Sequence, residues 1–131
     1  MISSRLLNRI ESITHTLAHL PQGRHKHFSF ITRRNTIISI GWNKSFQTHP
    51  IAKRFGHRFN CIHSELDVIL NFPYKLIELN KFDFINVRLG TSHFNMAKPC
   101  LHCTKMLSYY NIHCITYSNY DGGFYEFRTI A

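Results

Sequence analysis

The N-terminal stretch MISSRLLNRIESITHTLAHL carries Leu6, Ile10, Ile13, Leu17 and Leu20 at intervals of three and four, with polar residues between them. Side chains so spaced share one helical face, and the pattern predicts a first core helix that stops at Pro21-Gln22-Gly23. The period then changes. Phe28 and Phe30, then Ile37, Ile38 and Ile40, are aromatic or β-branched and flank Arg33-Arg34-Asn35, which reads as the turn of a hairpin over about residues 26–42. From Asn43 to Asn60 the chain is polar and rich in Lys, Arg and His, which predicts a long loop outside the core. Loops of that length in a compact domain are often functional. From Ile62, Leu66, Ile69 and Leu70 return to helical spacing until Pro73. Residues 84–89 read as a strand, 99–110 as a helix with proline in its first turn, and 112–117 as another strand.

A hairpin followed by helix, strand, helix and strand predicts an α/β fold with a helix-flanked, partly parallel sheet. Sites in such folds form where strands end and helices begin. No repeat, low-complexity tract or linker divides the 131 residues, so a single domain over 1–131 is expected. Apolar residues at 44%, with eleven Phe and six Tyr, suit a packed core rather than a disordered tail. No apolar run approaches the ~18 residues of a membrane span. Four unevenly spaced cysteines without an apolar leader point to a reducing cytoplasm and not to a disulfide framework. Sixteen Lys and Arg against seven Asp and Glu give +9, a field that favours nucleotides, nucleic acid or phosphate as partners.

Two segments rich in Cys and His, NCIHSELDVIL at 60–70 and KPCLHCTKML at 98–107, fall at predicted helix starts. Cys100 and Cys103, three apart at a helix N-terminus, place both sulfurs on one face where exposed N–H groups favour thiolate. With His63 they make a Cys₂His set, which suits one Zn²⁺ per chain and leaves a fourth position for water. Two thiolates neutralise the ion and leave that water weakly acidified, so a base is needed. Glu65, two residues past His63, can reach the water but not the metal. The same segments offer an alternative, a closed structural site of Cys61, His63, Cys100 and Cys103, against which Glu65 and Pro99 argue. His102 is expected to point away from the metal, and Asp67 to support its helix dipole. Cys114 is expected in the core. Trp42 and Phe59 read as core residues or as base-stacking groups, and His49 and His57 as ordinary loop residues.

His63-Ser64-Glu65 followed by Pro99-Cys100-Leu101-His102-Cys103 resembles the H-x-E…P-C-x-x-C signature of zinc-dependent cytidine and deoxycytidylate deaminases. Gly41-Trp42-Asn43 is similar to the G-[WY]-N of deoxycytidylate deaminases and bacterial tRNA adenosine deaminases, where the asparagine contacts the substrate sugar. Glu65-Leu66, Ile69, Cys103-Thr104-Lys105 and Ile115-Thr116-Tyr117-Ser118 look more like the deoxycytidylate branch. The resemblance implies a three-layer α/β/α cytidine-deaminase-like fold with a central mixed sheet of about five strands. It implies hydrolytic deamination of a cytosine nucleotide of the dCMP type, with zinc on His63, Cys100 and Cys103 and Glu65 moving the proton. Asn43 and Ser64 would contact the substrate; the basic 44–60 loop, which must pass near the pocket mouth, offers Lys53, Arg54 or Arg58 for its phosphate, and a cytoplasmic homo-oligomer is expected. Two features depart from the family: Ser64 stands where alanine is common, and the 44–60 loop is longer and more basic. A polynucleotide cytosine or adenine deaminase is the competing enzyme reading, and a non-catalytic zinc-stabilised nucleic-acid-binding module the competing class.

Overall fold

Ser3 caps the first helix, α1 (Ser4–Leu17), by accepting the Leu6 N–H on its hydroxyl at 3.2 Å. Leu6 and Ile10, on the face that the spacing predicts, are buried. The expected hairpin follows as β1 (His27–Arg33) and β2 (Thr36–Trp42). Arg34 and Asn35 form its turn at φ 50° and 65°, the left-handed conformations that match a two-residue turn to the twist of its strands. Then come β3 (Lys44–Ser45), α2 (Pro50–Arg54), β4 (Cys61–Ile62) and α3 (Ser64–Leu70). A 3-10 turn at Leu76–Lys81 leads into β5 (Asp83–Leu89), β6 (Phe94–Asn95), α4 (Leu101–Tyr109), β7 (Cys114–Ser118) and β8 (Phe124–Arg128). This computed structural model describes residues 2–19, 26–45, 47, 49–56 and 61–129.

The main sheet runs β2-β1-β5-β7-β8, with β6 paired to the end of β5, while β3 and β4 make a separate short ladder. Only β5 and β7 are parallel, because the chain between them crosses over through α4. Alternation along the central strands sends side chains to two cores. Phe28, Phe30, Ile85 and Val87 meet Leu6 and Ile10 of α1 on one face. Ile31, Phe84 and Ile115 meet Leu66 of α3 and Met106 and Leu107 of α4 on the other. The result is the three-layer arrangement around a mixed sheet that the resemblance implies. Among the described residues, no helix is long and apolar enough to cross a membrane.

Three expectations change. The polar 43–60 segment is not all loop outside the core. Pro50 opens α2, His49 caps it by accepting the Ile51 N–H on Nδ1 at 3.1 Å, Ala52 is buried, and Phe55 packs edge-on against Tyr109. His57, Arg58 and Phe59 lie outside the described residues. Cys114 is exposed rather than core. Ile115 takes the α4 face of β7, so its neighbour turns to the opposite face and lines an open cavity of about 400 Å³ with Ile2, Thr116, Glu126 and Arg128. Finally, β8 closes the sheet in a segment for which no element was expected, although aromatic and charged residues alternate there.

Candidate active site

The Cys/His cluster assembles at two helix starts that lie side by side. His63 is the N-cap residue of α3, yet its ring makes no capping bond. Nδ1 instead lies 3.3 Å from Cys103 Sγ and 3.8 Å from Cys100 Sγ. Cys100 caps α4, its sulfur accepting the Cys103 N–H at 3.5 Å, and Pro99 before it suits the extended backbone of a helix entry. All three donor atoms fall within 4.8 Å of one another. A tetrahedral zinc with Zn–N near 2.0 Å and Zn–S near 2.3 Å needs donor separations of roughly 3.5–3.8 Å, so the group fits such an ion with small side-chain adjustments.

Proton sharing already prepares the sulfurs. A hydrogen bond from Cys103, helped by His63, holds the Cys100 thiol down at about 3. The same bond, together with burial, pushes the Cys103 thiol well above its ordinary range. His63 is raised because its bond to Cys100 outweighs the cost of burial. A cation entering this group competes with protons for these donors, as metal ligation by thiols and imidazoles does in general.

Glu65, two residues past His63, is buried beside the cluster, and burial pushes its carboxyl above the usual range while the His63 charge opposes the shift. Asn86 on β5 donates from Nδ2 to Glu65 Oε2 at 3.0 Å and to the Ala97 carbonyl at 3.3 Å. Ser64 Oγ lies 3.1 Å from Glu65 Oε1 and 2.8 Å from Ser29 Oγ, which is in turn hydrogen-bonded to Asn86 Oδ1. Ser64 donates to Glu65 Oε1 and Ser29 to Asn86 Oδ1, while Asn86 donates to Glu65 Oε2, so both carboxyl oxygens are held by one ring of buried side chains. The arrangement holds a carboxyl that can carry and release one proton.

The sheet below this turn is built to receive it. Ser29 pairs with Gly41 on one side and Asn86 on the other, so the three form a row across β2, β1 and β5. Gly41 has to be bare: a Cβ there would stand 2.2 Å from Val68 N and 2.7 Å from the Ser64 carbonyl, both in the α3 backbone. Nothing in the sequence spacing exposed Ser29 or Asn86, although a polar residue in the middle of HFSFI and FINVR is the available signal.

Asp67 reaches out of α3 to accept the Trp42 N–H at 3.1 Å and to pair with Lys44 at 2.5 Å, beyond the dipole role expected of it. Asn43 sits between those two residues, its Oδ1 accepting the His27 N–H at 3.0 Å. The Ser64 side chain is buried against Ser29 and Glu65. Lys53 and Arg54 are exposed on the last turn of α2, where cations favour the helix dipole. His102 is not part of the metal-holding group; its ring abuts Gly56. Arg58 and the side chain of Cys61 lie outside the described residues.

No family model matches the chain, and no curated protein matches it. Its fold is shared with solved structures of the dCMP deaminase from cyanophage S-TIM5. The complex with dCMP and dUMP superposes with a TM-score of 0.58 at 14% identity, covering 92% of this chain and 85% of that one. The apo form gives 0.57 at 15% identity, covering 91% and 86%.

Proposed function

We propose that the chain is a zinc-dependent hydrolytic deaminase that converts a cytosine nucleotide of the dCMP type to its uracil counterpart and ammonia. The observation that carries this reading is Glu65, a buried acid held by Asn86 and Ser64 next to a Cys₂His group. A closed structural site has no use for such an acid. The fold shared with a dCMP deaminase supports the same reading.

His63, Cys100 and Cys103 would hold the zinc, which supplies an activated water when bound. Glu65 takes the proton of the attacking water at its carboxylate, gives it to the ring nitrogen beside the amine-bearing carbon, and then serves the departing ammonia. Asn86 and Ser64 keep the carboxyl aimed through that exchange. Asn43 contacts the sugar, and Lys53, Arg54 or Arg58 the phosphate. Lys44 is already paired with Asp67, which leaves it unsuited to that task.

One feature favours the second reading, a polynucleotide substrate. Residues 26–64 and 84–120 contain no Asp or Glu, and both acids of α3 are buried, so the segments around the cluster present Arg88, Lys98 and Lys105 without acidic neighbours in sequence. Zinc-loaded protein incubated with deoxycytidine, dCMP, dCTP, adenosine compounds and oligonucleotides, read by mass, separates the cases. Preferential conversion of dCMP with shallow salt dependence supports the proposal. Fast oligonucleotide conversion that falls steeply with salt supports the polynucleotide reading, and bound zinc with no conversion of any of them supports the non-catalytic module.

A further inference from the structure

Asp67 ties together two parts of the site that come from different stretches of chain. Its backbone N–H donates to the His63 carbonyl at 3.0 Å, so it lies one helical turn from a metal-holding residue and moves with it. Its Oδ2 accepts the Trp42 N–H and the Lys44 ammonium, the residues immediately before and after Asn43. The Lys44 ammonium also lies 4.4 Å from the centre of the Trp42 ring, closing the clamp on itself. Lys44 pairs through its backbone with Ile62, the residue before His63. Asn43 is therefore bracketed by Asp67 on both sides, while the His27 N–H on its Oδ1 fixes which way round its amide sits.

We propose that Asp67 is a positioning residue that sets Asn43 at a fixed distance from the metal-holding turn and thereby governs nucleotide binding more than turnover. The inference rests on the reading of Asn43 as the sugar contact. The Asp67 side chain is only 8% exposed and that of Lys44 23%, so the pair is sheltered enough for loss of one partner to leave the other unsatisfied.

The test is a double-mutant cycle on zinc-loaded protein, with KM and kcat for dCMP and the calorimetric affinity for dUMP as readouts. Asp67→Asn should keep its zinc while raising KM and weakening dUMP binding by roughly tenfold or more, with kcat changed far less. In an Asn43→Ala background the same substitution should add little, because the positioned group is gone. Lys44→Met, which leaves the Trp42 bond in place, should give a smaller rise of the same non-additive kind, and it keeps the proposal testable if Asp67→Asn does not fold. If Asn43→Ala weakens binding but Asp67→Asn and Lys44→Met lower only the melting temperature, or add fully to it, the positioning role is overturned and the sugar contact stands. If Asn43→Ala leaves both KM and dUMP affinity unchanged, the sugar contact fails and the positioning role with it.

Discussion

Gly41→Ala adds one methyl group at a point where the α3 backbone has no room for it. The new Cβ would lie 2.2 Å from Val68 N and 2.7 Å from both Val68 Cα and the Ser64 carbonyl, all backbone atoms that cannot rotate aside. Ordinary contact begins at about 3.4 Å, so α3 must retreat from β2 by roughly 1 Å. Overpacking of this kind costs about 1–3 kcal/mol, which for a chain of this size lowers the melting temperature by roughly 3–15 °C. The consequence for turnover is larger, because Ser64 and Glu65 ride on the displaced turn and a shift of about 1 Å can cost on the order of a hundredfold. The assay is a thermal melt beside steady-state turnover at a temperature where both proteins are folded, with zinc content measured on the same samples. Retained zinc with activity lost beyond any unfolded fraction is the expected result. A Gly41→Ala protein that melts within about 2 °C of the native one and turns over within about twofold would refute the packing argument.

Asn86→Ala should keep zinc but lower kcat/KM by roughly ten- to a hundredfold, the worth of a buried hydrogen bond to a charged group, and Asn86→Asp should not rescue it because a carboxylate cannot donate to Glu65. Glu65→Gln should bind zinc and lose turnover. In metal-stripped protein it should also be more stable than the native chain at pH 7: the folded Glu65 carboxyl is raised, so its contribution is fully present below its unfolded value near pH 4 and is lost as pH rises, a difference that pH-dependent urea melts would show closing toward pH 4. Cys100, held at about 3, should be alkylated in metal-stripped protein at nearly the same rate at pH 5 and pH 8, whereas an ordinary thiol slows about tenfold per pH unit below ~8.5. Peptide mass mapping reads the site, and protection on adding zinc ties it to the cluster.

The His63–Glu65 and Cys100–Cys103 pairs stood out in sequence because each is spaced within one helical turn, whereas the meeting of His63 with the two cysteines depends on the fold. The layers were legible for the same reason, since periods of 3.6 and 2 mark which face each segment buries. What supports Glu65 was not. Ser29, Gly41 and Asn86 come together only through strand pairing between β2, β1 and β5, and nothing local states that register. Asp67 reads as a dipole partner in sequence because Trp42 and Lys44 reach it across the fold. Cys114 was misplaced because apolar neighbours in a strand say that one face is buried, not which face a given residue takes. α2 was hidden by the charges of Lys53 and Arg54, which mask the short run Ile51, Ala52 and Phe55 on its inner side.

The pairing of β5 also bears on the order in which the molecule forms. Both of its long neighbours are remote in sequence, β1 through a ladder such as Ser29 with Asn86 and β7 through a crossover. The β1–β2 hairpin closes over a two-residue turn and needs no other strand, so it is the cheapest piece to assemble, whereas β5 must wait for distant partners. A chain emerging from the ribosome reaches Glu65 before it reaches Asn86, and cannot flank β5 on both sides until Ser118 is out. Chevron analysis should therefore find that substitutions in the hairpin mainly slow folding while those in β7 and β8 mainly hasten unfolding; the reverse pattern would place the nucleus elsewhere. Glu65 is therefore placed early, while Asn86, which hydrogen-bonds it, arrives only when β5 joins the sheet.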